Sequence, residues 1–255
     1  MSEKNSFTSH FIELRSRLIK TILFIFIIFI ISYTFAEQIY SFLVEPYAQA
    51  VKGDSVSRRL IFTALHETFI TYLKVAFFAA IFFGSPVLLI QIYRFIAPGL
   101  YTNEKKALLP YLILTPILFL LGGLLVYYLV MPLAINFFLS FETIGSDSNL
   151  PIQLEAKVNE YLSLIMRLIF AFGISFQLPI LLNLLARIGI VNSNYLKKTR
   201  RYVIVIIFTV AAILTPPDPI TQVGLAIPLL FLYELSIITV RFTEKKNNKE
   251  NFEDA

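Results

Sequence analysis

Long apolar runs alternate with short basic segments along this chain. A helix crossing a hydrocarbon core roughly 30 Å thick needs about 20 residues, and six runs approach that length. Residues 21–36 carry no charge, and Lys20 is placed to snorkel at their start. Residues 75–93 extend upstream through Lys74 to about Phe69, and residues 107–141 hold no charge at all, with Pro110, Pro116 and Pro132 as punctuation. Residues 168–186 extend back to about Tyr161 and so include Arg167. The last two runs, 202–215 and 219–240, flank the turn Pro216-Pro217-Asp218-Pro219, whose prolines force a helical hairpin. The first arm has 14 residues, about 21 Å at 1.5 Å per residue, which is short for a full crossing. The pattern predicts spans at about 19–36, 69–93, 109–131, 161–186, 201–215 and 219–240, all in one membrane domain, with a polar tail at 241–255.

Two flanking segments read as amphipathic helices lying in the interface. In 7–20, Phe11, Leu14 and Leu18 share a face away from Glu13, Arg17 and Lys20. Residues 58–68 look similar. No internal repeat of the kind that builds inverted-repeat transporters is present.

Charge fixes the orientation. The N-terminal segment, 94–108, 187–201 and the C-terminal tail together hold sixteen of the 22 lysines and arginines; the segments on the other side hold four. Cationic loops stay in the cytoplasm, so both termini are expected there. The same asymmetry accounts for the net charge of +5 without nucleic acid.

Composition removes several classes. With 57% apolar and 15% charged residues, the chain holds more hydrocarbon than a water-soluble domain of this size can hide. It has no cysteine, hence no disulfide, thiolate metal site or cysteine nucleophile. His10 and His66 are too few and too distant for a metal site. No phosphate-binding glycine loop occurs, and His66-Glu67 lacks the second histidine of H-E-x-x-H. No cofactor or metal is implied, and catalysis is not expected.

A few polar positions stand out. Charges inside a membrane are expensive and are functional candidates by default. Lys74 and Arg167 each have an ordinary reading as snorkelling cations. Glu234 lies deeper and reads as a buried or groove-facing carboxylate. Gln177 sits mid-span beside Pro179, where its amide can serve a neighbouring helix. Glu13 and Glu104 lie among basic residues at the cytoplasmic ends. A helical pair with Arg17 explains Glu13 equally well, and a favourable helix dipole explains Glu104. These features yield an all-α polytopic membrane protein but no function.

The motifs carry further. His10-Phe11-Ile12-Glu13-Leu14-Arg15-Ser16-Arg17-Leu18 resembles the opening of the TatC family, the core subunit of the twin-arginine protein translocase. Residues 95–104, Phe-Ile-Ala-Pro-Gly-Leu-Tyr-Thr-Asn-Glu, resemble that family's most distinctive cytoplasmic stretch. Similar blocks follow in family order: Gly84-Ser85-Pro86, Met131-Pro132-Leu133-Ala134, Ala171–Phe176, Leu214–Asp218, Leu225–Pro228 and Tyr233-Glu234. The resemblance implies six spans in a concave, glove-like arrangement with two short final helices. It also implies a receptor for signal peptides that carry an arginine pair, with transport of folded proteins driven by the protonmotive force. Glu13 and Glu104 match positions that would accept the two guanidiniums, a pairing suited to planar carboxylates. Arg15, Phe95, Pro98 and Tyr101 match the same surface. Single-span partners resembling TatA and TatB are implied, as is self-association. Gln177, Glu234, Lys74 and Asp218 are the polar positions left for docking, and the fifth span with 225–233 is the implied partner surface. A bacterial cytoplasmic membrane is expected, with the mitochondrial inner membrane as the other compartment open. One departure matters: many members carry glutamate where this chain has Gln177, which hydrogen-bonds but cannot titrate. Arg167 is also unusual.

The competing reading is a secondary transporter or channel lined by Lys74, Arg167, Gln177 and Glu234. The missing repeat and the lack of clustered intramembrane acids weigh against it.

Overall fold

A computed structural model describes the backbone of residues 2–52, 58–96, 105–143, 150, 152–215 and 219–253. At 2–11, 13–14, 93–96, 105–109, 220 and 246–253 it describes backbone only. The helices are α1 (Ser2–Thr34), α2 (Ala36–Ala50), α3 (Glu67–Ile96), α4 (Lys105–Leu125), α5 (Met131–Leu139), α6 (Val158–Ser175), α7 (Leu178–Arg187), α8 (Ser193–Leu214) and α9 (Pro219–Glu253). No strand forms among the described residues; Ile61 with Lys157 and Thr143 with Ile152 make isolated bridges. Five stretches are long and apolar enough to cross a membrane: Arg15–Thr34, Glu67–Ile92, Pro110–Leu139, Val158–Arg187 and Thr221–Lys245. The chain is an all-helical, multi-pass membrane protein. Its α8 is not among the five, since Lys197, Lys198, Arg200 and Arg201 fall in its first three turns.

Several elements depart from the sequence pattern. The region after the first span is helical at Ala36–Ala50 despite Pro46. The interfacial helix expected at 58–68 does not form: residues 58–63 are non-helical and α3 begins only at Glu67. Tertiary bonds outcompete the local pattern there, because Arg58 is drawn to Glu142 and Ile61 pairs with Lys157. The third span does not stop near Met131. A π-helical turn at Val126–Val130 passes the chain into α5, and the Met131 N–H donates to the Val126 carbonyl. Such a turn re-routes the backbone bonds that Pro132 would otherwise break. The fourth span is divided at residues 176–177, just before Pro179.

The chain divides into two compact units. The first comprises residues 1–45, 61–116 and 157–162. Its centre is the pairing of α1 with α3. Val75, Ala76, Ala79 and Ala80 of α3 are buried, and Gly84 lies against Ile25 of α1, where a small residue lets the backbones approach closely. Phe24, Phe26, Ile27, Ile30 and Ile31 of α1 remain exposed, as suits a hydrocarbon solvent. The Tyr161 hydroxyl donates to the Leu43 carbonyl at 3.0 Å.

The second unit comprises residues 46–60, 117–156 and 163–255. Phe119 and Phe172 are fully buried in it. A cluster of Ala186, Leu196, Tyr233, Ile237 and Val240 joins α7, α8 and α9. Between α7 and α8, Gly189 takes a left-handed conformation with φ 76°, the conformation that glycine adopts most cheaply after a helix end. Asn192 then caps α8, its side chain accepting from the Tyr195 N–H at 2.7 Å.

Candidate functional site

Of the signal-peptide residues expected from sequence, three lie on described helices of the first unit. Glu13 and Arg15 lie on α1, and Phe95 lies in the last turn of α3. Arg15 is exposed. The side chains of Glu13 and Phe95, and the whole of Pro98, Tyr101 and Glu104, lie outside the described residues. The scaffold is well defined nonetheless. A Cβ on Gly84 would meet Ile25 at 2.5 Å, and the rings of Phe29 and Phe77 lie 6.4 Å apart in an edge-on arrangement. These contacts fix an antiparallel register: as α1 advances from Ile25 to Phe29, its partner runs back from Gly84 to Phe77. Both helices rise about 1.5 Å per residue, so the α1 backbone near Glu13 comes level with the end of α3 near Phe95.

The polar positions expected at the membrane separate into different settings. Lys74 donates to the Asn159 carbonyl oxygen Oδ1 at 2.7 Å. It borders a cavity of about 280 Å³ that Thr63, His66, Glu67, Lys157 and Glu160 also line. Glu67 is spoken for: its Oε2 accepts from the N–H groups of Thr63 and Ala64 at 2.7 and 3.2 Å.

Gln177 is buried at the break between α6 and α7. Its N–H reaches back to the Ile174 carbonyl at 2.9 Å, while its own carbonyl accepts from Leu181 at 2.9 Å. Pro179 has no N–H to continue the α6 ladder, so the chain tightens here and restarts. Glu234, expected to be buried or groove-facing, has a side chain that is 48% exposed and pairs with Arg200 at 2.6 Å. Asp218 lies outside the described residues. Across the same hairpin, the Gln222 amide donates to the Phe208 carbonyl at 3.2 Å.

A family model described as Sec-independent protein translocase protein (TatC) matches residues 9–228. The chain belongs to the TatC family. It is 49% identical over 239 residues to the Sec-independent protein translocase protein TatC of Rickettsia prowazekii (strain Madrid E), covering 94% of each chain. To the TatC of Magnetococcus marinus it is 46% identical over 250 residues, covering 98% of this chain and 89% of the relative. A solved structure titled a twin arginine translocase receptor, TatC, superposes with a TM-score of 0.78 at 36% identity, covering 92% of this chain and 99% of the other. This chain is therefore a membrane-embedded component of a protein translocase, and the family places it in a system with partner Tat subunits.

For a TatC protein, the structure adds polar ties that the sequence pattern did not expose. Asn183, buried on α7, donates to Thr239 Oγ1 at 2.7 Å and accepts from Thr243 Oγ1 at 3.0 Å, stitching α7 to α9. The Glu244 carboxylate accepts from the Ser193 N–H and hydroxyl at 2.7 and 2.6 Å, closing the start of α8 onto α9. Tyr233 donates to the Leu196 carbonyl at 2.8 Å. Arg58 and Glu142 form a shielded pair, and the Leu154 N–H adds a bond to the same carboxylate at 2.8 Å. The Arg58 guanidinium, with that N–H second, holds the Glu142 carboxyl below the usual carboxylate range. Asn183 was the legible signal, an amide inside an apolar run; the partners of Arg58 and Arg200 are distant in sequence and left none.

Proposed function

We propose that this chain is the signal-peptide receptor of a twin-arginine translocase, with six spans and both termini in the cytoplasm of a bacterial cell. Glu13 and Glu104 receive the two arginines of the signal, and Arg15, Phe95, Pro98 and Tyr101 complete the surface. Single-span subunits resembling TatA and TatB dock on the membrane face, and the protonmotive force drives transport of the folded cargo. The supporting observation is the antiparallel register of α1 and α3 set by Ile25 with Gly84 and Phe29 with Phe77. It levels the backbone near Glu13 with the end of α3, from which residues 97–104 lead on to Glu104. Two carboxylates on one cytoplasmic rim match a pair of guanidiniums, each charge-assisted bond adding about 1.5–3 kcal/mol. The final helices are longer than the short arms expected, α8 with 22 residues and α9 with 35, and the Arg200–Glu234 pair braces their hairpin.

The test is photocrosslinking of a precursor in inverted membrane vesicles. An Arg-Arg signal is compared with a Lys-Lys signal against the wild type, Glu13→Ala and Glu104→Ala. Crosslinking should require the arginines and fall at least tenfold with either carboxylate removed. Equal capture of the Lys-Lys precursor by all three proteins would refute the carboxylate–guanidinium reading.

A further inference from the structure

Arg167 lies inside α6, within the apolar stretch Val158–Arg187. It is exposed, while Ile165, Met166, Leu168 and Ile169 around it are buried. The guanidinium therefore points away from the protein's packed side. Two other cations have protein partners: Lys74 holds Asn159, and Arg200 of α8 holds Glu234. Among the described residues Arg167 makes no hydrogen bond or ion pair. Five donors on a charged fork, exposed within a membrane-spanning stretch, are a costly arrangement that persists where something outside the chain accepts them.

The surrounding face fits a helix. Ser163 and Ala171 lie one turn to either side of Arg167 and are small and half-buried. Beyond them, Ile174 is 62% exposed. Small side chains flanking a polar one let a second backbone approach while a hydrogen bond forms. The occupant must supply the opposite charge, since a guanidinium discriminates for planar carboxylates. A second copy of this chain is a poor donor of one: Glu234 is held by Arg200, Glu67 by backbone N–H groups, and Glu160 stands in the first turn of α6 beside Lys157.

We infer that the Ser163–Arg167–Ala171 face of α6 docks a single-span partner helix that carries an aspartate or glutamate within its apolar stretch, paired to Arg167. This rests on the translocase reading for the existence of such partners. It assigns them an ion pair at Arg167, ten residues before the buried Gln177.

The chain has no cysteine, so a single Ile174→Cys reports on this face alone. Membranes holding the full chain and its TatA- and TatB-like subunits, with cysteines scanned through the partner span, are oxidised and the disulfide-linked product measured. With Arg167 present, one partner should link to Ile174→Cys at helical spacing. Arg167→Leu should lower that yield about tenfold, whereas Arg167→Lys should retain most of it. Arg167→Glu, combined with partner carboxylate→Lys, should restore it. An unchanged yield in Arg167→Leu would overturn the inference and leave Arg167 as a cation snorkelling to lipid phosphates. Signal-peptide crosslinking in the same membranes separates the two claims: its survival alongside an unchanged partner yield sinks only the docking surface.

Discussion

Alanine at Gly122 and at Gly224 is the same substitution in a helix, and the structure expects opposite signs. A Cβ at Gly122 would lie 2.7 Å from the Phe172 carbonyl oxygen, 2.8 Å from its carbon and 2.9 Å from the Gly173 nitrogen. These are backbone atoms, so no side chain can swing aside. Reaching ordinary contact requires α4 and α6 to part by about 0.7 Å. The seam holds Phe119 and Phe172 fully buried, and a gap of that size forfeits a quarter to a half of each contact's attraction. Overpacking of this kind costs about 1–3 kcal/mol. Against it stands the propensity gain of alanine over glycine, about 1 kcal/mol. At Gly224 nothing lies within 4 Å of the added carbon, so only the gain applies. The difference between the two variants cancels propensity and isolates packing at about 1–3 kcal/mol, or roughly 5- to 150-fold in the unfolding constant. The assay is unfolding of the purified protein in mixed micelles titrated with a denaturing detergent, followed by circular dichroism. Two variants of equal stability would refute the packing argument.

Further outcomes follow from the polar ties. Glu142→Gln should cost about 1–2 kcal/mol at pH 7, because Arg58 loses a shielded partner. The Glu142 pKa is depressed in the fold, so its stabilisation is present above the ordinary carboxylate range and is lost as pH falls through the lowered value. The gap between wild type and variant should therefore narrow as pH falls below the ordinary carboxylate range, as thermal unfolding of the micellar protein at several pH values would show. Glu155→Gln should change nothing measurable, since its pair with Arg59 spans 3.9 Å between largely exposed side chains. Asn183→Leu should cost about 1 kcal/mol, since intramembrane bonds average only about 0.6 kcal/mol each. Thr239 and Thr243 keep their bonds to the carbonyls of Ser236 and Thr239. A double-mutant cycle with Thr239→Val should return a coupling near 0.6 kcal/mol; zero coupling would show the Asn183–Thr239 bond to be incidental.

The candidate site was legible in sequence to the extent that its residues sit in local motifs. Glu13 and Arg15 on one side, and Phe95 through Glu104 on the other, stand in short blocks whose family likeness names them. That the α1 backbone near Glu13 comes level with the end of α3 near Phe95 required the α1–α3 register, which depends on Gly84 admitting Ile25. The pairing of Glu234 with Arg200 left no signal in the sequence, because the two stand 34 residues apart. Residues 58–68 were misread as a helix because amphipathic spacing says nothing of Glu142, the distant partner of Arg58.

Alone, the amino-acid sequence determined the solvent and the class. Apolar runs of span length cannot be satisfied in water, and in lipid a backbone must satisfy its own hydrogen bonds, so such runs become helices. It also marked Pro179 as a place where the helical ladder loses a donor. What only the tertiary structure decided was where the interruptions fall and which polar groups they bring together. The Asn183 ladder to Thr239 and Thr243 depends on neighbours far along the chain, and the burial of Ile165, Met166, Leu168 and Ile169 leaves Arg167 facing outward. In hydrocarbon a polar side chain seeks whatever partner the packing supplies, and that partner is set by contact, not by proximity in sequence.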